Sequence, residues 1–481
     1  MTHQASTAVR IEPIAPTRLQ PDAIGITQDT VIGMASSAPA ATAGLTLAAL
    51  AATSAYGAGA VLLITAIPML IIANAYRRLN MWNANCGAAF EWVGRAINPY
   101  LGYLTGWLML TYYVIGGVAL IVPLGPSVLQ AAGVTTGSQW PNLAITTAVI
   151  LVMLAIAVAG IRLTARTQIL VAVVEYAILV GLAVAGLVIV LRGHHPGAVP
   201  VSSAWLSPTG IGGRGSVTGA FLISSFVIAG WDGTMYVNEE VKHRRIAPGR
   251  AALLAAGLLA VLYTLIQVGL QGVVSPRRLQ AHSTTVLVYA VQSFAGNGWG
   301  RVMATAIALS VIATTGVGIV LTARIMYGMA SWRALPPFLA NVSRRYATPV
   351  AASILTGVLL LVLVFVYTLG TSLQNAFNDL LAISAWLTVG FYMFTALAMT
   401  AYYRRQVFAK FSTAVTVGLL PLASVVFLGW VLVRSIQAAP WPQKWSLIGV
   451  LGAGVVLMFT ARFIWRSPFF RLARESQRPG A

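Results

Sequence analysis

Apolar stretches with few or no charges, each long enough to cross about 30 Å of hydrocarbon as a helix, follow one another along the whole chain. They run approximately over 30–50, 58–75, 101–129, 141–160, 167–191 and 217–238, then 251–273, 302–330, 350–369, 380–403, 414–434 and 447–465. Only 8% of the 481 residues are charged and 58% are hydrophobic, whereas soluble domains carry roughly 25% charged residues. So few charges cannot cover a water-facing surface, and lipid must solvate much of it. The pattern predicts an all-α polytopic membrane protein with about twelve transmembrane helices.

The net charge of +20 would point to nucleic acid in a soluble protein, but membrane proteins gather Lys and Arg in cytoplasmic loops. With both termini placed inside, Arg192, Arg214, Arg277, Arg278, Arg301, Arg434 and Lys444 fall outside. The other basic residues, about 23 of the thirty, fall inside. They include Arg77 with Arg78, Arg162 with Arg166, Lys242 with Arg244 and Arg245, Arg344 with Arg345, and Arg404 with Arg405. The skew accounts for the charge without a nucleic-acid partner, for which there is no recognition motif. Residues 1–25 lack the apolar core of a signal peptide and read as a cytoplasmic tail. Cys86 is the only cysteine, which rules out an internal disulfide or a cysteine-built metal cage.

Two spans contain sequence that cannot keep every helical backbone bond. Span one holds Gly33-Met-Ala-Ser-Ser-Ala-Pro39 and span six holds Phe226-Val-Ile-Ala-Gly230-Trp231-Asp232-Gly233. Freed amides can bind a carboxylate and freed carbonyls an ammonium. An offset of five spans inverts the second unit relative to the first, the pattern of inverted-repeat transporters with a site between the broken helices. Simple packing kinks are the alternative.

Three segments resemble the amino acid-polyamine-organocation permeases. They are Asn85-Cys86-Gly87-Ala88-Ala89-Phe90-Glu91-Trp92 leading into Gly102 to Trp107; Gly230-Trp231-Asp232 with Glu239-Glu240-Val241-Lys242 and Pro248; and Arg324-Ile-Met-Tyr327 through Pro336 to Thr348-Pro349. They follow the family order over roughly residues 25 to 405. The resemblance implies a five-plus-five inverted repeat with helices one and six broken, plus two C-terminal helices. The units expected are a tail (1–25), a first repeat (26–192), a second repeat (217–403) and helices eleven and twelve with a cytoplasmic tail (404–481). Two departures stand out: Ser36-Ser37-Ala38-Pro39 replaces the family's Gly-Ser/Thr-Gly in span one, and His243 follows Lys242 where the family has Lys-Asn-Pro.

Charged groups deep in a bilayer cost about 2.5 to 3.5 kcal/mol on insertion scales, so each requires a reason. Glu175 in span five lies where a lysine sits in resembling proton-coupled permeases and near the sodium of sodium-coupled ones. A carboxyl group withdrawn from water can load and release a proton, so Glu175 is expected to be the proton-coupling acid; permanent hydrogen bonding is the alternative. Asp232 can stabilise the unwound backbone, the preferred role, or pair with an ammonium. Trp231 and Phe226 can line or gate a pocket, or simply pack. The resemblance has the substrate carboxylate meet the span-one amides, here those of Ser36, Ser37 and Ala38, facing Gly230.

Ser310, Thr314 and Thr315 can point hydroxyls toward Glu175 or a sodium ion, or bond the preceding carbonyls of their own helix, the preferred reading. Glu239 and Glu240 are a possible cytoplasmic gate among Lys242, Arg244 and Arg245, or a solvated cluster. Tyr103 and Tyr112 are further candidates for the pocket wall.

The class expected is a secondary transporter of amino acids in the plasma membrane, using alternating access and a proton, without metal or cofactor. An exchanger or exporter of polyamines, organic amines or an amphiphile on the same scaffold is the rival reading, and a non-transporting nutrient sensor a more remote one. No HExxH, GxSxG or phosphate-binding loop supports an enzyme, and His194 and His195 are isolated in a loop.

Overall fold

In hydrocarbon a chain has to satisfy its backbone polar groups internally, and these stretches do so as α-helices. The computed structural model describes residues 18–134, 138–193, 202–208, 211, 217–282, 285–370 and 373–472. His194, His195, Arg214 and most of both expected tails lie outside the described residues. The first group of helices is α1 (Ile26–Ala35), α2 (Pro39–Ser54), α3 (Ala58–Trp82), α4 (Ala89–Ala96), α5 (Pro99–Ile121), α6 (Leu124–Ala132), α7 (Trp140–Ala159) and α8 (Ile161–Arg192). The second is α9 (Val217–Val227), α10 (Ala247–Val273), α11 (Pro276–Ala281), α12 (Val286–Ala295), α13 (Asn297–Ser331), α14 (Val350–Gly370) and α15 (Leu373–Tyr402). Two further helical stretches, Phe411–Ala438 and Trp441–Ile464, complete the order.

Among the described residues, eleven stretches are long and apolar enough to cross a membrane. The first, Ile26–Trp82, has 57 residues. It contains a broken crossing, α1 with α2, and then a whole one, α3, so the eleven stretches make the twelve crossings expected. A broken crossing opens each group of five: α1 with α2 in the first, and α9 with the 3₁₀ turn Trp231–Met235 in the second. The short helices α4, α11 and α12 lie in connections where the sequence reading foresaw no structure.

Burial separates the inner helices from the outer ones. The most apolar window of Pro99–Ala132 is 83% buried and that of Trp441–Ile464 only 17%, so the former builds the interior and the latter faces lipid. The ends of α3, α7, α13 and α15 and the start of α10 share one face with α4. That face carries Arg77, Arg78, Arg95, Arg162, Arg166, Lys242, Arg244, Arg245, Arg344, Arg345, Arg404 and Arg405, and is called the basic face below.

The basic face is closed by a continuous layer of hydrogen bonds. The amides of Ala23 and Ile24 donate to the Glu240 carbonyl at 2.8 and 3.1 Å, and the Lys242 amide donates to the Ile24 carbonyl at 2.9 Å. The segment before α1 is thereby pinned to the end of span six. Asn238 donates to the Asn80 side chain at 2.8 Å and to the Asn85 carbonyl at 2.9 Å, and Asn80 donates to the Arg244 carbonyl at 2.8 Å. The chain after the last span returns to this layer: Ser467 donates to the Trp332 carbonyl at 2.5 Å and Phe469 stacks on Phe90 at 4.0 Å.

Close packing at this face requires glycine. A Cβ on Gly102 of α5 would lie 2.5 Å from the Gly94 Cα and 2.7 Å from the Phe90 carbonyl oxygen of α4. Both are backbone atoms that cannot rotate aside. Gly102→Ala is therefore expected to destabilise the protein by about 1–3 kcal/mol. Gly257→Ala in α10, with no neighbour within 4 Å, should be neutral or stabilise by up to about 1 kcal/mol. Melting of the purified variants in detergent checks the contrast, and equal melting temperatures would contradict it.

Candidate functional site

The first break begins after Ala35. Ser36 and Ser37 turn the chain, Ala38 takes a left-handed conformation (φ 47°), and α2 restarts with Pro39, which has no amide to donate. The polar groups this interruption frees are taken up by neighbouring spans. The Ala35 carbonyl accepts from Thr314 of α13 at 2.7 Å. The Ala40 amide donates to Glu175 Oε1 of α8 at 2.9 Å and to Ser310 Oγ at 3.2 Å, and the Ala41 amide reaches Ser310 at 3.5 Å. Glu175 thus caps the N-terminus of α2, where a carboxylate is stabilised by the helix dipole.

This geometry changes one expectation. The amides of Ser36, Ser37 and Ala38 donate within their own turn, to the carbonyls of Ile32, Met34 and Ala35 at 3.0, 3.2 and 3.1 Å. The tight turn made by left-handed Ala38 engages the amides that the resemblance offered to a carboxylate. Thr315 bonds its own helix at Val311 (2.7 Å), as the preferred reading had it. Thr314 bonds both its own helix and the broken one.

The second break lies at Ile228–Gly230. Gly230 has φ +100°, and a Cβ there would stand 2.9 Å from the Ser37 amide nitrogen, so glycine alone fits. The two breaks touch, with the Ser36 hydroxyl donating to the Gly230 carbonyl and also to the Gly33 carbonyl at 2.9 Å. Beside this contact is a small cavity lined by Ser36, Tyr112, Tyr113, Phe226, Thr314 and Thr315, with Gly116, Gly117 and Gly318 leaving room in its wall. Of the expected aromatic pair, Phe226 lines the cavity. Trp231 does not: it is fully buried behind it, stacked on Tyr392 at 5.1 Å and edge-on to Tyr76 at 5.2 Å. Tyr112 lines the cavity, while Tyr103 packs near Phe470 toward the basic face.

Asp232 is fully buried, and its carboxylate takes its own backbone amide, in keeping with the preferred role, together with three phenols that the sequence reading did not foresee. Tyr236 donates at 2.6 Å, Tyr392 at 2.7 Å and Tyr113 at 3.3 Å. Tyr236 is four residues on, a spacing visible in the sequence. Tyr113 and Tyr392 come from distant spans and carried no such signal. Through Tyr113 the Asp232 cluster reaches the cavity wall.

The expected gate residues take different partners. Glu240 is fully buried and forms a two-pronged pair with Arg324 of α13, with Nε–Oε2 at 2.8 Å and Nη2–Oε1 at 3.1 Å. Neither Lys242, Arg244 nor Arg245 is its partner, and it is not part of a solvated cluster. An arginine inside a span needs a carboxylate within reach, a signal that would have matched Arg324 to Glu240. Glu239 accepts the Cys86 amide at 3.0 Å. Burial pushes its carboxyl above the ordinary value, and the Cys86 amide opposes that shift.

Residues 26–459 match the family model described as amino acid permease. The chain is 27% identical over 169 residues to the mouse protein named Asc-type amino acid transporter 1, an alignment covering 35% of this chain and 31% of that protein. It is 25% identical over 368 residues to the Arabidopsis thaliana protein named cationic amino acid transporter 4, vacuolar, covering 72% and 56%. These matches span less than two thirds of the relatives' own length. A mutant of the Eremococcus coleocola manganese transporter has a similar fold, with a TM-score of 0.60 at 12% identity over 92% of this chain and 94% of that one. That likeness concerns the fold alone. Among the described residues, His, Cys, Asp and Glu side chains nowhere gather in threes as a metal-ligand set.

Removing one partner of a buried ion pair strands the other, at a cost of about 3–5 kcal/mol. Arg324→Met should therefore lower the melting temperature sharply, while Arg324→Met combined with Glu240→Gln should recover part of the loss. A double variant no more stable than the single one would show that the pair is not coupled.

Proposed function

Because the chain belongs to the amino acid permease family, we propose that it is a secondary transporter that moves amino acids across the plasma membrane by alternating access, with a proton as coupling ion. The observation that carries this reading is the meeting of the two helix breaks at Ser36 and Gly230, beside a cavity walled by spans three, six and eight. Half-helices joined at such breaks can swing about a fixed central site. The basic face is then cytoplasmic and both termini lie on that side. The substrate occupies the cavity between the breaks, bordered by Ser36 and Phe226. Its carboxylate gains the amides of Ser36 to Ala38 only when their turn opens.

Glu175 is the coupling acid in this reading. As a carboxylate it holds the Ala40 amide and ties α2 to α8. A proton removes the charge from that cap, weakens the bond, and frees the broken helix to change its tilt. Opening toward the cytoplasm requires the Glu240–Arg324 pair and the Ile24–Val241 bridge to part or move together. Asp232 acts through its tyrosines: with three hydroxyl partners and no exposure, it orients Tyr113 rather than receiving an ammonium. That arrangement favours an amino acid over a polyamine as substrate.

Uptake into proteoliposomes, screened over amino acids and polyamines with imposed pH and sodium gradients, tests the reading. Saturable amino acid uptake that rises with an inward proton gradient and ignores sodium is expected. Binding without flux would overturn it in favour of a sensor. Glu175→Gln should retain amino acid exchange while its uptake loses the response to the pH gradient. An undiminished response would remove Glu175 from the coupling role.

A further inference from the structure

Five acidic side chains are buried among the described residues: Asp29, Glu91, Glu175, Asp232 and Glu240. Four are held. Glu91 accepts from Trp332 at 2.9 Å, Glu175 from the Ala40 amide, Asp232 from three tyrosines, and Glu240 is paired with Arg324. Asp29, on α1, is 0% exposed, and neither of its carboxylate oxygens has a hydrogen-bond partner among the described residues.

Among the described residues no counter-charge compensates it. Helix α1 packs against α8, α10, the turn 231–235 and α13. On α8, Glu175 is committed to Ala40, and the Tyr176 hydroxyl is itself without a partner. Arg162 and Arg166 lie in a cleft at the basic face together with Asp22, Gln28 and Lys242. On α10, Tyr263 meets Ser37, and Arg250 is exposed at the helix start. Asp232 in the turn is held by its phenols, and on α13 Arg324 is held by Glu240 while Tyr327 makes no bond to Asp29.

An ionised carboxylate with neither hydrogen bond nor counter-ion in an apolar interior is far costlier than the neutral acid. We propose that Asp29 is a proton-binding site separate from Glu175, filled while the basic face is closed and emptied when α1 moves to open it. The exit lies close at hand, since the adjacent residue Gln28 lines the cleft that holds Arg162, Arg166 and Lys242. Once α1 tilts that way, these cations favour the carboxylate, and the proton passes to water in the cleft. Because the proton binds one conformation only, acid on the basic-face side holds that face closed. The tilt rests on the alternating-access reading; the proton on Asp29 in the closed form does not.

Infrared difference spectroscopy of the full-length protein in lipid, titrated across pH, decides the matter. A neutral carboxylic acid band present at neutral pH is expected to vanish in Asp29→Asn and to persist in Glu175→Gln. A band unchanged by Asp29→Asn would overturn the proposal. Asparagine has the shape of the neutral acid and should be accommodated. If that variant fails to fold, isotopic labelling of aspartate in the unmutated chain replaces it: the band must shift, and must do so in Asp232→Asn as well. A band that ignores the label contradicts the proposal. Absence of amino acid uptake in proteoliposomes would sink the permease reading while leaving this band in place, so the two failures are distinguishable.

Discussion

Everything at the centre of this protein follows from one requirement: a helix interrupted in hydrocarbon must find partners for the backbone groups it frees. The break in span one is tolerated because α8 and α13 supply them. Thr314 satisfies the last carbonyl of α1, and Glu175 with Ser310 satisfies the first amides of α2. The same three contacts fix where the broken helix stands against its neighbours. They also set Ser36 against Gly230, the contact beside which the cavity opens. The polar side chains of spans five and eight are therefore part of the backbone structure of span one.

Buried charge obeys a similar rule at the basic face. Glu240 and Arg324 neutralise each other, Glu91 is held by Trp332 and Glu239 by the Cys86 amide. These links join the end of span six to span eight and to the segment between spans two and three, while the chain before α1 adds its own backbone bonds at residues 240–242. A conformational change that opens this face has to break or carry several such links together. Links that must part together favour an all-or-none change over a gradual one.

The helices, their number and the two breaks were legible in the sequence because each depends on local properties: apolar length, scarcity of charge, and Gly or Pro where the backbone cannot continue. The basic skew was legible for the same reason. Residues near a break were also found, among them Ser36, Gly230, Phe226 and Glu175. Their partners were not. For Asp232 the backbone partner was legible but the phenols were not, because its tyrosines, apart from Tyr236, lie more than a hundred residues away. Asp29 lies one residue before the span read as 30–50, and nothing in a linear pattern tells a helix end in water from one folded under a neighbouring segment.

The sequence alone thus determined that this chain is a bundle of membrane helices with two interrupted spans, because lipid admits few other solutions for such a composition. Only the tertiary structure decided which hydroxyl or carboxylate meets which freed backbone group, that Glu240 pairs with Arg324, and that Asp29 has no partner among the described residues. Hydrogen bonds and ion pairs are short-ranged and directional. Their partners are chosen by how helices pack and rotate against each other, a property of the whole bundle that no single span encodes.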